Sequence, residues 1–268
     1  MGSLSNFAEN KFVDHILGTA YSPPSTVYLA LFESDPTDAG SGTEASYTSY
    51  ARKAIAFGAA SSRRVTQSGD VSFDQCTGGS NDVTHWGVYD ALTSGNLLAH
   101  GALNATKNIV NGSTPSVASA EVYVEISAGA FSNYAANGFL DLMFRNQAFS
   151  APTTYIGLST GTVSDASTGS TVLEPSGGSY GRVAVNATGG GSPAWSAASG
   201  GASSNGADVS FPSPTGSWGT VVAAFAANTS VVGTGELLFY DNDNVTDQAI
   251  TSGDTVKFAS GQFDVSMT

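Results

Sequence analysis

The chain repeats itself. Shifted by 127 positions, Ser5–Glu33 aligns with Ser132–Thr160 without a gap, and 9 of the 29 positions are identical. The identities include Asn10/Asn137, Phe12/Phe139, Asp14/Asp141 and Tyr28/Tyr155, while exchanges such as Val13/Leu140 and Ile16/Met143 keep apolar character. Farther along the offset widens, as it must where loops change length and strands persist. YARKA at Tyr50 answers YGRVA at Tyr180, GDVSF at Gly69 answers ADVSF at Ala207, and NLLAHG at Asn96 answers ELLFYD at Glu236. VEISAGAF at Val124 resembles VKFASGQF at Val256. Landmarks in the same order predict two homologous domains, 1–130 and 131–268. A chain of 268 residues is long enough to give each a core of its own.

Each copy opens with a helix signal. Ser5 or Asn6 serves as N-cap, Glu9 stands three after Asn6 as in a capping box, and Phe12, Val13, Ile16 and Leu17 form one apolar face before Gly18. Phe139, Leu140, Met143 and Phe144 repeat the phase. A helix this short is marginal alone, so the face must be covered, and packing on its own domain is the simplest expectation. The text that follows is rich in β-branched and aromatic residues between Gly, Ser, Asn and Asp clusters. It predicts strands at Thr26–Phe32 and Thr153–Ser159, with shorter ones at 52–57, 71–73, 85–89, 97–103 and 122–126. The expected fold is mainly β: two tandem β-sandwich-like domains, each with a short N-terminal α-helix.

Composition narrows the function. Asp plus Glu number 22 against 9 Lys plus Arg, for a net charge of −13, so an acidic surface repels phosphate backbones and nucleic acid is not expected as a partner. Arg52-Lys53 and Arg63-Arg64 read as solvated surface charges. No basic and apolar leader is evident, and the longest apolar run, Val221–Ala227, is far shorter than the roughly 20 residues of a membrane helix. Neither a membrane nor export is therefore expected. The lone cysteine, Cys76, has no disulfide partner within the chain and reads as a small buried hydrophobe.

Chemistry-bearing motifs fare poorly. GGSYG at Gly177 fits the G-x-S-x-G elbow, but all three histidines, His15, His85 and His100, precede Ser179, the wrong order for that triad. His85 and His100 would form an acid/base pair if their strands were adjacent, yet the second copy has Ala223 and Tyr240 near those positions. DNDNVTD, Asp241–Asp247, begins like a calcium loop and breaks the pattern at Val245 and Thr246. Glu33, Asp35, Asp38 and Glu44 are read as loop solubility rather than a glycosidase couple. No catalytic, cofactor or metal residues are expected, and the chain is not expected to be an enzyme.

NFAENKFVDHILGTAYSPPSTVYLALFESDPTDAGSGTEASYTSYARKAIAFGAAS closely resembles the opening of a family of small tailed-bacteriophage virion proteins often labelled tail-fibre-like. THWGVYDALTSGNLLAHGAL fits as well, as do ADVSFPSPTGSWGTV and SGDTVKFASGQFDVSM in the second copy. One such domain is commonly the whole protein in that family, and this chain looks like two in tandem. The resemblance implies a virion protein assembled in the bacterial cytoplasm, with no catalytic residues to carry over. Two linked footprints suit a lattice of identical subunits, since linkage raises local concentration. The expected role is decoration or cementing of the particle surface, most plausibly the capsid. Expected partners are other virion proteins, the major capsid protein foremost, and further copies of the chain in a homo-oligomer. The alternative is a tail or short-fibre component binding host glycans, for which Tyr47, Trp195 and Trp218 would be exposed in loops.

Overall fold

A computed structural model describes residues 2–127, 129–243, 245 and 247–267. The protein is mainly β and folds as two compact units, neither of which is a continuous stretch of chain. Unit 1 comprises Met1–Glu9, Ser22–Ser127 and Asn137–Phe149, and unit 2 comprises Asn10–Tyr21, Ala128–Ala136 and Ser150–Thr268.

In chain order the first copy supplies β1 (Gly2–Leu4), α1 (Asn6–Ile16), β2 (Val27–Phe32), β3 (Lys53–Ile55), β4 (Arg64–Thr66), β5 (Val71–Ser72), β6 (Ser80–Tyr89), β7 (Leu97–Val110), β8 (Ser116–Val117) and β9 (Tyr123–Glu125). Its main sheet runs β3-β2-β6-β7-β1-β9-β4, with β5 and β8 paired separately. The second copy supplies α2 (Asn133–Arg145), β10 (Thr154–Ser159), β11 (Val183–Val185), β12 (Ala202–Ser204), β13 (Val209–Ser210), β14 (Gly219–Val221), β15 (Ala223–Ala227), β16 (Leu237–Asp241), β17 (Gln248–Ile250), β18 (Lys257–Phe258) and β19 (Asp264–Ser266). The order β11-β10-β15-β16 repeats β3-β2-β6-β7, and three two-stranded ladders complete the unit.

Register confirms the homology. Leu29 faces Val88 in unit 1, and Ile156 faces Ala226 in unit 2. Side-chain volume is traded across the same pair of strands. Ala30 faces Gly87 in one copy, whereas Gly157 faces the fully buried Phe225 in the other. A Cβ on Gly157 would run into the Phe225 ring, so the large residue on one strand requires the absent side chain on its neighbour.

Helix starts are repeated atom for atom. The amides of Ala8 and Ala135 donate to Oγ of Ser5 and Ser132 at 3.2 and 3.1 Å, and those hydroxyls donate in turn to the carbonyls of Leu97 and Leu237. Serine is thus the N-cap. The expected capping box does not close, because the Asn6 amide goes to the Asp38 carbonyl at 3.1 Å instead of to Glu9. At its other end α1 stops in a Schellman arrangement. Thr19 N–H reaches Asp14 O at 2.8 Å, Gly18 N–H reaches His15 O at 3.1 Å, and Gly18 has φ +98.

The apolar helix faces are buried, but not in the sandwich that follows them in sequence. Phe12 is fully buried in unit 2, its ring centroid 4.7 Å from that of Phe131. Phe144 lies in unit 1, 5.2 Å from Phe57. Two polar identities explain the arrangement. In unit 2 the carboxylate of Asp14 accepts the Ala198 amide and the Asn10 side-chain oxygen accepts the Gly201 amide, both at 2.9 Å. In unit 1 Asp141 accepts the Ala60 amide and Asn137 the Arg63 amide, both at 2.8 Å. The same Asn and Asp, one turn apart, clasp the equivalent loop in each unit.

Two local expectations are corrected. The pairing of Val124 with Val256 is displaced. Val124 belongs to β9 and faces Val65, whereas the equivalent of β9 is β19, where Val265 faces Ser203. Lys257–Phe258 instead matches Ser116–Val117, each pair facing the Val-Ser of the DVSF motif. Short strands of apolar-polar alternation carry little to fix their alignment. The strand expected at 97–103 extends to Val110 because β6 starts at Ser80 and supplies its partner.

Candidate functional site

The most elaborate polar site occurs once in each unit. In unit 1 the Tyr50 hydroxyl accepts the Leu31 amide at 3.0 Å and donates to Glu44 at 2.8 Å. Arg52 forks onto the same carboxylate through Nε at 2.9 Å and Nη2 at 2.8 Å, and its Nη1 donates to the carbonyls of Ala91 and Ser94 at 3.1 and 2.7 Å. Unit 2 repeats the set with Tyr180, Glu174 and Arg182, whose Nη1 holds the carbonyls of Thr229 and Thr234 at 2.9 and 3.0 Å. Burial pushes both phenols well above their usual range, so both stay protonated and donate. The shared pattern is E-x5-Y-x-R, at 44–52 and 174–182.

A bidentate guanidinium fixes geometry as well as charge. Here it ties down the turn between β6 and β7 and the turn between β15 and β16. Those turns carry exposed aliphatic side chains: Leu92 in unit 1, Val231 and Val232 in unit 2, with Leu173 beside Glu174 the most exposed at 63%. Each unit thus carries exposed aliphatic side chains on a turn held from within.

His85 and His100 are brought together in unit 1, whereas His15 lies on α1 in unit 2, where its Nδ1 accepts the Tyr21 amide at 3.1 Å. His85 faces Ala102 and His100 faces Gly87, which puts both on one face of the β6–β7 pair. Asp35 lies between them, 3.3 Å from His100 and 4.0 Å from His85, and Asp38 lies 2.9 Å from His100. The Thr37 amide holds the Asp35 carboxyl below the usual carboxylate range, and both imidazoles add to the effect. Unit 2 answers with Tyr240, whose hydroxyl donates to Asp165, and the Asp165 carbonyl accepts the Asn133 amide just as Asp38 accepts that of Asn6. A phenol fills the imidazole's place, and in both units the bond ties the loop to the strand.

Comparison with known families now decides the identity. The family described as Podophage GP4 fiber I protein gp80 matches residues 3–125 and again residues 130–266. The chain belongs to this family. It carries the gp80 fibre module twice, and the expected tandem phage protein is the one found. A fibre family makes it a bacteriophage virion structural protein. No curated protein matches the chain.

Within this gp80 pair, other sequence candidates resolve as follows. Ser179, like its counterpart Ser49, has positive φ and bonds a threonine hydroxyl, Thr215 at 2.9 Å and Thr77 at 2.8 Å respectively. Glu33, Asp35, Asp38 and Glu44 all have specific partners, which corrects their reading as loop solubility. Arg52 is likewise half-buried and held in its clamp rather than solvated. The aromatic platform expected from Tyr47, Trp195 and Trp218 does not form. All three are buried, with Trp195 donating to Thr154 at 2.7 Å and Trp218 to the Gly178 carbonyl at 2.8 Å, while burial pushes the Tyr47 phenol up to about 12. In DNDNVTD, Asp241 accepts the Asp243 amide at 2.9 Å in an Asx-type turn, while Asn244 and Thr246 lie outside the described residues. Sequence reasoning missed the clamp. Its signal was available, a Glu six residues before Tyr-x-Arg in both copies.

Proposed function

We propose that the protein is a non-catalytic structural component of the phage fibre apparatus, whose two linked modules contact neighbouring virion proteins and further copies of the chain. The observation that carries this reading is the fibre-family match across both copies. The clamped apolar tips support it, because contact surfaces need exposed apolar area on rigid elements. Two such modules in one chain multiply weak contacts into a strong one when both engage. The substitution of tyrosine for histidine beside Asp165 favours a positional role over proton transfer. Immunogold electron microscopy of intact particles tests the assignment. Gold on tail appendages is the expected result. Gold confined to the head would replace it with decoration of the major capsid protein, and unlabelled particles would overturn both.

A further inference from the structure

The two helices share a pattern but not a length. α1 ends at Ile16, the equivalent of Met143, whereas α2 runs two residues farther, to Arg145. The grooves that receive them differ to match. In unit 1 only Ala56 separates the end of β3 from Phe57, which bridges to Gln67. In unit 2 the same bridge joins Trp195 to Asn205, and nine residues, 186–194, separate Trp195 from the end of β11, eight more than in unit 1. This extra loop turns back on itself, with the Gly190 amide donating to the Ala187 carbonyl at 2.9 Å and the Asn186 side-chain amide to that of Gly191 at 2.6 Å. Beyond it the two copies regain register, since Ser196 N–H reaches Ser204 O as Gly58 N–H reaches Thr66 O. In unit 2, Gly18 ends against the loop, and a Cβ there would lie 3.1 Å from both the Ala187 Cβ and the Pro152 carbonyl oxygen. Unit 1 leaves the corresponding place open, with a cleft of about 330 Å³ between Pro24, Ser25 and Phe57 on one side and Phe144 and Arg145 on the other. The last turn of α2 uses that room to lay Phe144 on Phe57.

We propose that the loop 186–194 is a specificity element that admits pairing of unlike modules, first with second, and bars pairing of two second modules. Each module is completed by a helix from another copy, so the surface concerned is the helix groove and its partner is another gp80 module. In the groove of unit 2, α2 would place Arg145 where Gly18 stands, and its side chain would run into Ala187 and Pro152. The groove of unit 1 holds no such block, but α1 would set Leu17 where Phe144 stands and leave the Phe57 ring without its aromatic partner. Steric conflict in one groove and lost packing in the other both send α1 to the second module and α2 to the first. With identical modules any copy would accept any other, and chains would cross-link at random. Unlike modules form a pair that a single chain closes by itself, where linkage makes the local concentration highest. This pairing rule is independent of where on the virion the protein sits.

Native mass spectrometry of the cut chain tests the rule. A protease site placed at the junction of the copies, 127–130, allows the folded full chain to be cut, unfolded in urea and refolded as two halves. The refolded halves should pair first with second, and pairs of two second halves should be absent. Deleting 187–194, which leaves Asn186 in the place of Ala56, should raise pairs of second halves by about tenfold or more. Phe144→Leu with Arg145→Gly, which gives α2 the ending of α1 and keeps the loop, should do the same. In the intact chain Gly18→Arg should lower the melting temperature, and the deletion should recover most of that loss. Random pairing of the unaltered halves would overturn the proposal, as would halves that refold without pairing. So would pairs of second halves that stay absent in both variants, or a Gly18→Arg loss that the deletion does not recover.

Discussion

Phe12→Ala should damage the module to which Phe12 does not belong in sequence. The ring is fully buried and rests on Phe131 inside unit 2, although the residue sits in the first copy. Removing it forfeits roughly 2 to 3 kcal/mol of transfer free energy. The cavity left between packed neighbours brings the loss to about 3 to 5 kcal/mol. Segment-resolved amide hydrogen exchange reads out where that loss falls. Protection in 150–267 should drop by about two to four orders of magnitude, the same free energy expressed as an opening constant, while 22–127 keeps most of its protection. Phe144→Ala should do the reverse through Phe57. If Phe12→Ala loosened 22–127 and spared 150–267, the assignment of α1 to the second unit's core would be refuted.

Glu174→Gln breaks a salt bridge whose side chains are 0% and 3% exposed, and should cost about 3 to 5 kcal/mol by urea unfolding. Glu44→Gln, in a pair exposed by 9% and 28%, should cost about 1 to 3 kcal/mol. Gly157→Ala overpacks the Phe225 ring and should lower stability by about 1 to 3 kcal/mol, measured the same way. Glu9 has its pKa raised, first by burial and then by Asp38, so its contribution is present below the unfolded pKa and lost as pH rises through the folded one. Glu9→Gln should therefore raise the melting temperature near neutrality and leave it unchanged below the carboxylate range. Leu92→Asp with Val231→Asp should leave the melting temperature intact and reduce incorporation into particles, as judged by immunoblot of purified virions.

Period and punctuation made the elements legible. Apolar residues at helical spacing placed α1 and α2, β-branched runs placed β2 and β10, and the repeated order of landmarks established two modules. Those signals are local, and the chain carries them at each position whatever it later packs against. Which groove receives each helix is a different kind of information. The two grooves are homologous and the two helices share Asn, Phe and Asp at matching positions, so either pairing satisfies the same pattern. Only the tertiary structure selects between them, because the choice depends on contacts made far along the chain. The same reason hid the clamp's purpose. Glu44 among loop acids looks like any surface charge until Arg52 and Tyr50 close over it, and Trp195 looks like a loop aromatic until Phe239 and Phe263 surround it. Composition states how much charge and apolar area a chain has, while burial, which sets what each group is worth, is decided by the fold.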